Sequence, residues 1–255
     1  MKKLFSIFSL LAFLFVFGQE TTENLVIHYQ SIVKIDLPAI LKNVPEQYRA
    51  QTEAMLKAEA EKGITVDYTL KTNGQKSIFS LDEKIDNSQT QGGIIAMQIK
   101  MADKDPLFKN LKENYYKKGF SVPSLPQYLI KDSLNTIKWE LTREKSQVLG
   151  YEVRKAVGEK DGQKFIVWYA PKLNIKDGPN ILSGLPGLVL KAEMSNPKQG
   201  VDATMIAVKI NISETALNIE EPNKGKVVTE KEFEAEMKAL QEKMQKMMGG
   251  GVDSE

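Results

Sequence analysis

Cysteine is absent from the 255 residues, and histidine occurs once, at position 28. Without thiols there is no disulfide, no zinc–thiolate site and no cysteine nucleophile, so the fold must be held by packing alone. A Ser-His-Asp arrangement would have to recruit His28, and no Gly-x-Ser-x-Gly elbow supplies its nucleophile. Charge of one sign is also lacking. The 35 Lys and Arg face 33 Asp and Glu for a formal net charge of +2, which speaks against a nucleic-acid partner. Long apolar runs are missing everywhere except at the start.

There, Met1-Lys2-Lys3 precedes an apolar stretch over 4–17 broken only by Ser6 and Ser9, and the chain turns polar after Gly18. A basic entry, a short apolar core and small residues at Val16 and Gly18 make 1–18 a cleavable secretory signal. The stretch is shorter than the roughly 20 apolar residues needed to span a bilayer. No cysteine follows it, which excludes a lipidated-cysteine anchor. The mature chain is expected to start near Gln19, with no transmembrane segment after cleavage; peripheral membrane association stays open.

Over 25–36, Leu25, Ile27, Tyr29, Val33 and Ile35 alternate with polar residues, which predicts a strand with one wet face. At Pro38 the period changes to helical and persists to Lys62, with a break at Pro45 and Gly63 as the stop. Alternation returns at Ile64, and Asn73-Gly74 marks a hairpin into a strand at 76–82. Further strands are expected at 94–101, 127–131, 136–143, 150–157, 164–170, 188–194, 202–212 and 215–220, with a short helix around 107–116. Thr229-Glu230-Lys231-Glu232 is a capping box, and Phe233, Met237, Leu240, Met244 and Met247 or Met248 form one helical stripe after it. The fold expected is α+β and β-rich: a curved antiparallel sheet of about eight to ten strands, or an open half-barrel, with a packed helix and a C-terminal amphipathic helix. By boundaries this gives a signal at 1–18, a β-rich domain at 19–221, a linker at 222–228, the helix at 229–250 and a frayed tail at 251–255.

One segment carries a signature: Trp168-Tyr169-Ala170-Pro171, Gly178-Pro179, and Gly184-Leu185-Pro186-Gly187-Leu188-Val189-Leu190. With Trp139-Glu140-Leu141, Glu144-Lys145, Gly150-Tyr151 and Lys155-Ala156 ahead of it, the stretch 138–192 resembles the GLPGLI family, exported proteins of Bacteroidetes-type bacteria named after this motif. The resemblance implies an exported envelope protein, in the periplasm or at the outer-membrane periphery, and carries no established activity. Val153 stands where family members often have a cysteine, so any family disulfide is lost.

Physically, Leu185-Pro186-Gly187-Leu188 reads as a type II turn feeding a buried strand, or as a loop shaped to hold a peptide or ligand. The long connection before it, 171–183, is of a length often used for binding. The candidate binding residues are therefore Trp168, Asn174, Lys176, Asp177, Asn180, Gly184, Pro186 and Gly187; no catalytic set is identified. Trp139 and Trp168 either line a cavity or fill the core. Asp103-Lys104-Asp105 lacks the Gly and Glu of a calcium loop, and the terminal methionines have no histidine beside them for a copper site. No metal and no cofactor is expected. Three functions remain: a non-enzymatic envelope protein binding an apolar ligand or an envelope-protein partner, such as an outer-membrane component under assembly or transport; a periplasmic hydrolase using carboxylates such as Asp67, Asp177 or Glu193; or a purely structural role.

Overall fold

The computed structural model describes residues 24–82, 93–121, 125–134, 136–197 and 199–249. The expected signal with its cleavage site, the tail at 251–255 and the side chains of Met244, Met247 and Met248 lie outside the described residues.

The alternation at 25–36 forms β1 (Asn24–Ile35), which buries Leu25, Ile27, Tyr29, Val33 and Ile35. The helical period after it yields two helices, α1 (Leu37–Lys42) and α2 (Glu46–Lys62), parted at Pro45, which has no N–H to give the preceding turn. Asp36 caps α1 by accepting from Ala39 N at 3.1 Å, and Gly63 ends α2 at φ 69°. Asn73-Gly74 joins β2 (Ile64–Thr72) to β3 (Lys76–Leu81), with Asn73 Oδ1 accepting from the N–H groups of Gln75 and Lys76 at 3.0 and 2.8 Å.

Three expectations are corrected here. Residues 94–101 form a helix, α3 (Ile94–Ala102), not a strand. Ala, Met, Gln and Lys favour helix, and the Glu59 carboxylate of α2 accepts from Ile95 N and Ala96 N at 3.2 and 2.9 Å, satisfying first-turn donors that no local residue could cap. The helix expected near 107–116 is instead a hairpin of β4 (Leu107–Asn110) and β5 (Tyr115–Phe120), turned by Asn114 at φ 61°. Residues 215–220 are irregular, whereas Lys226–Val228, within the segment expected as linker, forms β12. The remaining strands are β6 (Tyr128–Ser133), β7 (Glu140–Val148), β8 (Tyr151–Lys160), β9 (Gln163–Ala170), β10 (Leu188–Asn196) and β11 (Val201–Ser213). Helix α4 (Glu230–Gly249) starts on the capping box: Glu232 N donates to Thr229 Oγ1 at 3.2 Å and Thr229 N returns to Glu232 Oε2 at 2.7 Å.

The twelve strands among the described residues belong to one open sheet in the order β12-β6-β5-β4-β3-β2-β1-β11-β10-β9-β8-β7. Two antiparallel meanders, β1 to β6 and β7 to β11, therefore join along the central β1–β11 ladder, and β12 adds parallel to β6. Strands β6 and β7 lie ten places apart, about 48 Å if the sheet were flat. The chain from Ser133 to Glu140 reaches at most about 25 Å. The sheet must therefore curl until its two wings approach, which creates a concave interior. Ile40, Ala60, Ile95 and Ile99 of the first three helices pack on the main core cluster, while Phe233 of α4 meets Phe120 and Tyr128 edge-on at 4.8 and 5.5 Å between ring centres.

Candidate functional site

The connection from β9 to β10 is buried at alternate residues: Leu173, Ile175 and Asp177 are inside, Lys172, Asn174 and Lys176 outside. Its apolar residues split between two core clusters, Leu173 and Ile175 with β1, Leu182 and Leu185 with Phe165, Val167 and Tyr169. Asp177, a candidate binding residue by sequence, is instead 0% exposed and forms an ion pair of 2.5 Å with Lys109 of β4, also 0% exposed. The same ammonium donates to Gly178 O at 2.5 Å, and Gly178 N donates to Asp177 Oδ1 at 2.8 Å. This pair crosses the concavity, since β3, β2, β1 and β11 lie between β4 and β10 in the sheet. Burial pushes the Lys109 amine below its ordinary 10.5, against the pull of Asp177. Burial, and then the Asp177 charge, drive the Tyr29 phenol well above its usual value; its hydroxyl donates to Val189 O at 2.6 Å.

The turn in this connection is tighter than expected. Gly187 N donates to Leu185 O at 2.8 Å and Leu188 N donates to Leu173 O, so the bond spans three residues rather than the four of a type II turn. Gly187 has φ 152°, and a Cβ there would stand 2.3 Å from Ala170 O. Of the other candidate binding residues, Gly184 and Pro186 are exposed, Trp168 is half-buried against the main core cluster, and Asn180 is half-buried with φ 51°. Trp139, half-buried, donates its indole N–H to Ser183 O at 3.0 Å and meets Phe165 edge-on.

Only Asn180 among those candidates lines a cavity of about 400 Å³ between the wings. Its apolar wall combines Leu107, Tyr116, Phe120 and Ile130 of one wing with Phe165 and Met194 of the other; Ile181 and Leu182 form the floor and Phe233 of α4 the roof. Phe233 lies on the apolar stripe legible in the sequence, but the other wall residues carry no local signal of a cavity.

The single histidine enters a small polar cluster elsewhere. Thr69 Oγ1 donates to Asp82 Oδ2 at 2.9 Å and lies 3.0 Å from His28 Nδ1. With its proton given to Asp82, the hydroxyl must accept from His28, so the imidazole is not placed as a base for Thr69. Asp67 is bonded by Gln30 and Glu193 by Lys191, so the three carboxylates considered for hydrolysis each have a separate partner. No group of three metal-ligating side chains occurs among the described residues, and no helix among them is long and apolar enough to cross a membrane.

Against known proteins, a family model described as N-glycanase peptide, N-terminal domain matches residues 108–231, a span holding Lys109, Asp177 and the 184–190 motif. No curated protein matches the chain. The structure of PNGF-II in the C2 space group is 17% identical, covers 84% of this chain and 32% of that one, and gives a TM-score of 0.52. The same protein in P21 gives 16% identity and 0.50 over equal shares. The chain thus spans about a third of the length of PNGF-II, and at this identity the likeness is one of fold. A DUF1329 family protein from Desulfovibrio piger aligns over 78% of this chain and 89% of that one at 7% identity and TM-score 0.34, too low to carry an argument.

Proposed function

We propose that this chain is an exported, non-enzymatic cell-envelope protein that holds an apolar ligand in the cavity beneath α4. The observation that carries the reading is that cavity: about 400 Å³, within the range of small-molecule sites, and walled by aromatic and aliphatic side chains with few polar ones. The amino-terminal leader and the resemblance to the GLPGLI family support an envelope location, in the periplasm or at the outer-membrane periphery. Likeness to a domain that makes up a third of a longer protein suits a binding module, although fold alone assigns no function. The exposed loop residues Asn174, Lys176, Gly184 and Pro186 offer a second surface, suited to an envelope-protein partner, which the buried Asp177 and Gly187 hold in shape. The hydrolase reading is set aside because Asp67, Asp177 and Glu193 each have a different partner.

A fluorescent long-chain probe titrated into the purified mature chain should saturate at one site. Met194→Trp and Ile130→Trp, which fill the cavity from its two wings, should weaken that binding while melting temperatures hold. Undiminished binding by both variants would remove the cavity from the proposal.

A further inference from the structure

We infer that the cavity selects a single-chain amphiphile whose polar end is cationic or a hydrogen-bond donor, a long-chain amine in preference to a fatty carboxylate. This rests on the cavity reading above and adds the chemistry of its rim. The lysines bonded there are already held: Lys118, which lines the space, by Asp103 at 2.8 Å, and Lys160 by Glu230 at 3.0 Å with Asp161 at 3.8 Å. The carboxylates there outnumber them. Glu230 and Glu234 line the space, and Asp132 sits behind them, accepting Glu230 N at 3.0 Å. Burial first, and then the nearby Glu230 and Asp132 charges, hold the Tyr116 phenol well above its usual value, so the cavity wall there faces negative charge. Gln163 and Asn180 complete the polar lining and can accept through their amide oxygens.

A carboxylate head would have to share Lys118 with Asp103 and would then sit beside Glu230 and Glu234. An ammonium head meets acceptors already in place, at a rim where Glu230 is half-buried and Glu234 exposed, so that the attraction weakens as salt is raised. The apolar chain would then lie along Phe120, Phe165, Met194 and Phe233, where it loses contact with water.

The test compares dodecylamine, dodecanol and dodecanoate at pH 7, below their micelle concentrations, by calorimetry on the mature chain. Dodecylamine should bind at least about tenfold more tightly than dodecanoate, a difference of about 1.4 kcal/mol, with dodecanol between. The double change Glu230→Gln and Glu234→Gln should lower the amine-to-alcohol affinity ratio. Binding of the alcohol with the carboxylate equal to or tighter than the amine would overturn this inference and leave the cavity reading standing. Failure of all three to bind would overturn the cavity reading itself.

Discussion

Lys109→Met leaves Asp177 as a buried anion with no cation and deprives Gly178 O of its donor. Both side chains are 0% exposed, so water cannot take over either role. Removing one member of such a pair costs about 3–5 kcal/mol. At about 2–4 °C per kcal/mol for a domain of this size, the melting temperature should fall by roughly 6–20 °C. The double change Lys109→Met with Asp177→Leu should recover most of that loss, because well-packed apolar replacements of a buried pair are often neutral. By contrast, Glu152→Gln breaks a pair whose side chains are 56% and 49% exposed and should cost under about 1 kcal/mol. Urea unfolding followed by tryptophan emission suits the measurement, since Trp139 is bonded to Ser183 in the same connection. Trypsin adds a local readout: cleavage after Lys172 or Lys176 should accelerate in the single variants. A Lys109→Met chain within about 1 kcal/mol of the parent would refute the reasoning, as would a double variant no better than the worse single.

Gly187→Ala should destabilise more than Gly184→Ala. Both glycines have positive φ, worth about 1–2 kcal/mol against a side chain, and a Cβ at Gly187 would in addition stand 2.3 Å from a backbone oxygen; equal unfolding midpoints would contradict this. Glu221 is held below its ordinary 4.5, first by the hydrogen bond from Lys117, so its stabilising contribution is present above that pH and lost as pH falls through the lowered value. Glu221→Gln should flatten the acid limb of the stability curve, and an unchanged limb would exclude that role. Deleting residues 231–255 removes the Phe233 contacts with Phe120 and Tyr128 and should lower the melting temperature; unaltered melting would mean that α4 adds nothing to the fold. Amino-terminal sequencing of exported material should read from Gln19 or within a few residues of it, and an intact Met1 would refute the signal.

What the sequence determined by itself was the structure written in neighbouring residues. The alternation of β1, the Asn73-Gly74 hairpin, the breaks at Pro45 and Gly63 and the Thr229–Glu232 capping box are local, and each lies where its pattern puts it. Tertiary structure decided the rest, because the determining partner lay far along the chain. Residues 94–101 are apolar on nearly every side and carry no clear period, so a carboxylate from another helix, Glu59, made them a helix. Residues 107–116 look mixed because β4 buries all four of its residues, Lys109 included, and a lysine at a core position hides the alternation of a strand. That lysine is buried only because Gly178 and Asp177, some 69 residues on, close over it. The cavity is less legible still: its walls come from both wings, and they face one another only because a connection too short for a flat sheet forces the sheet to curl.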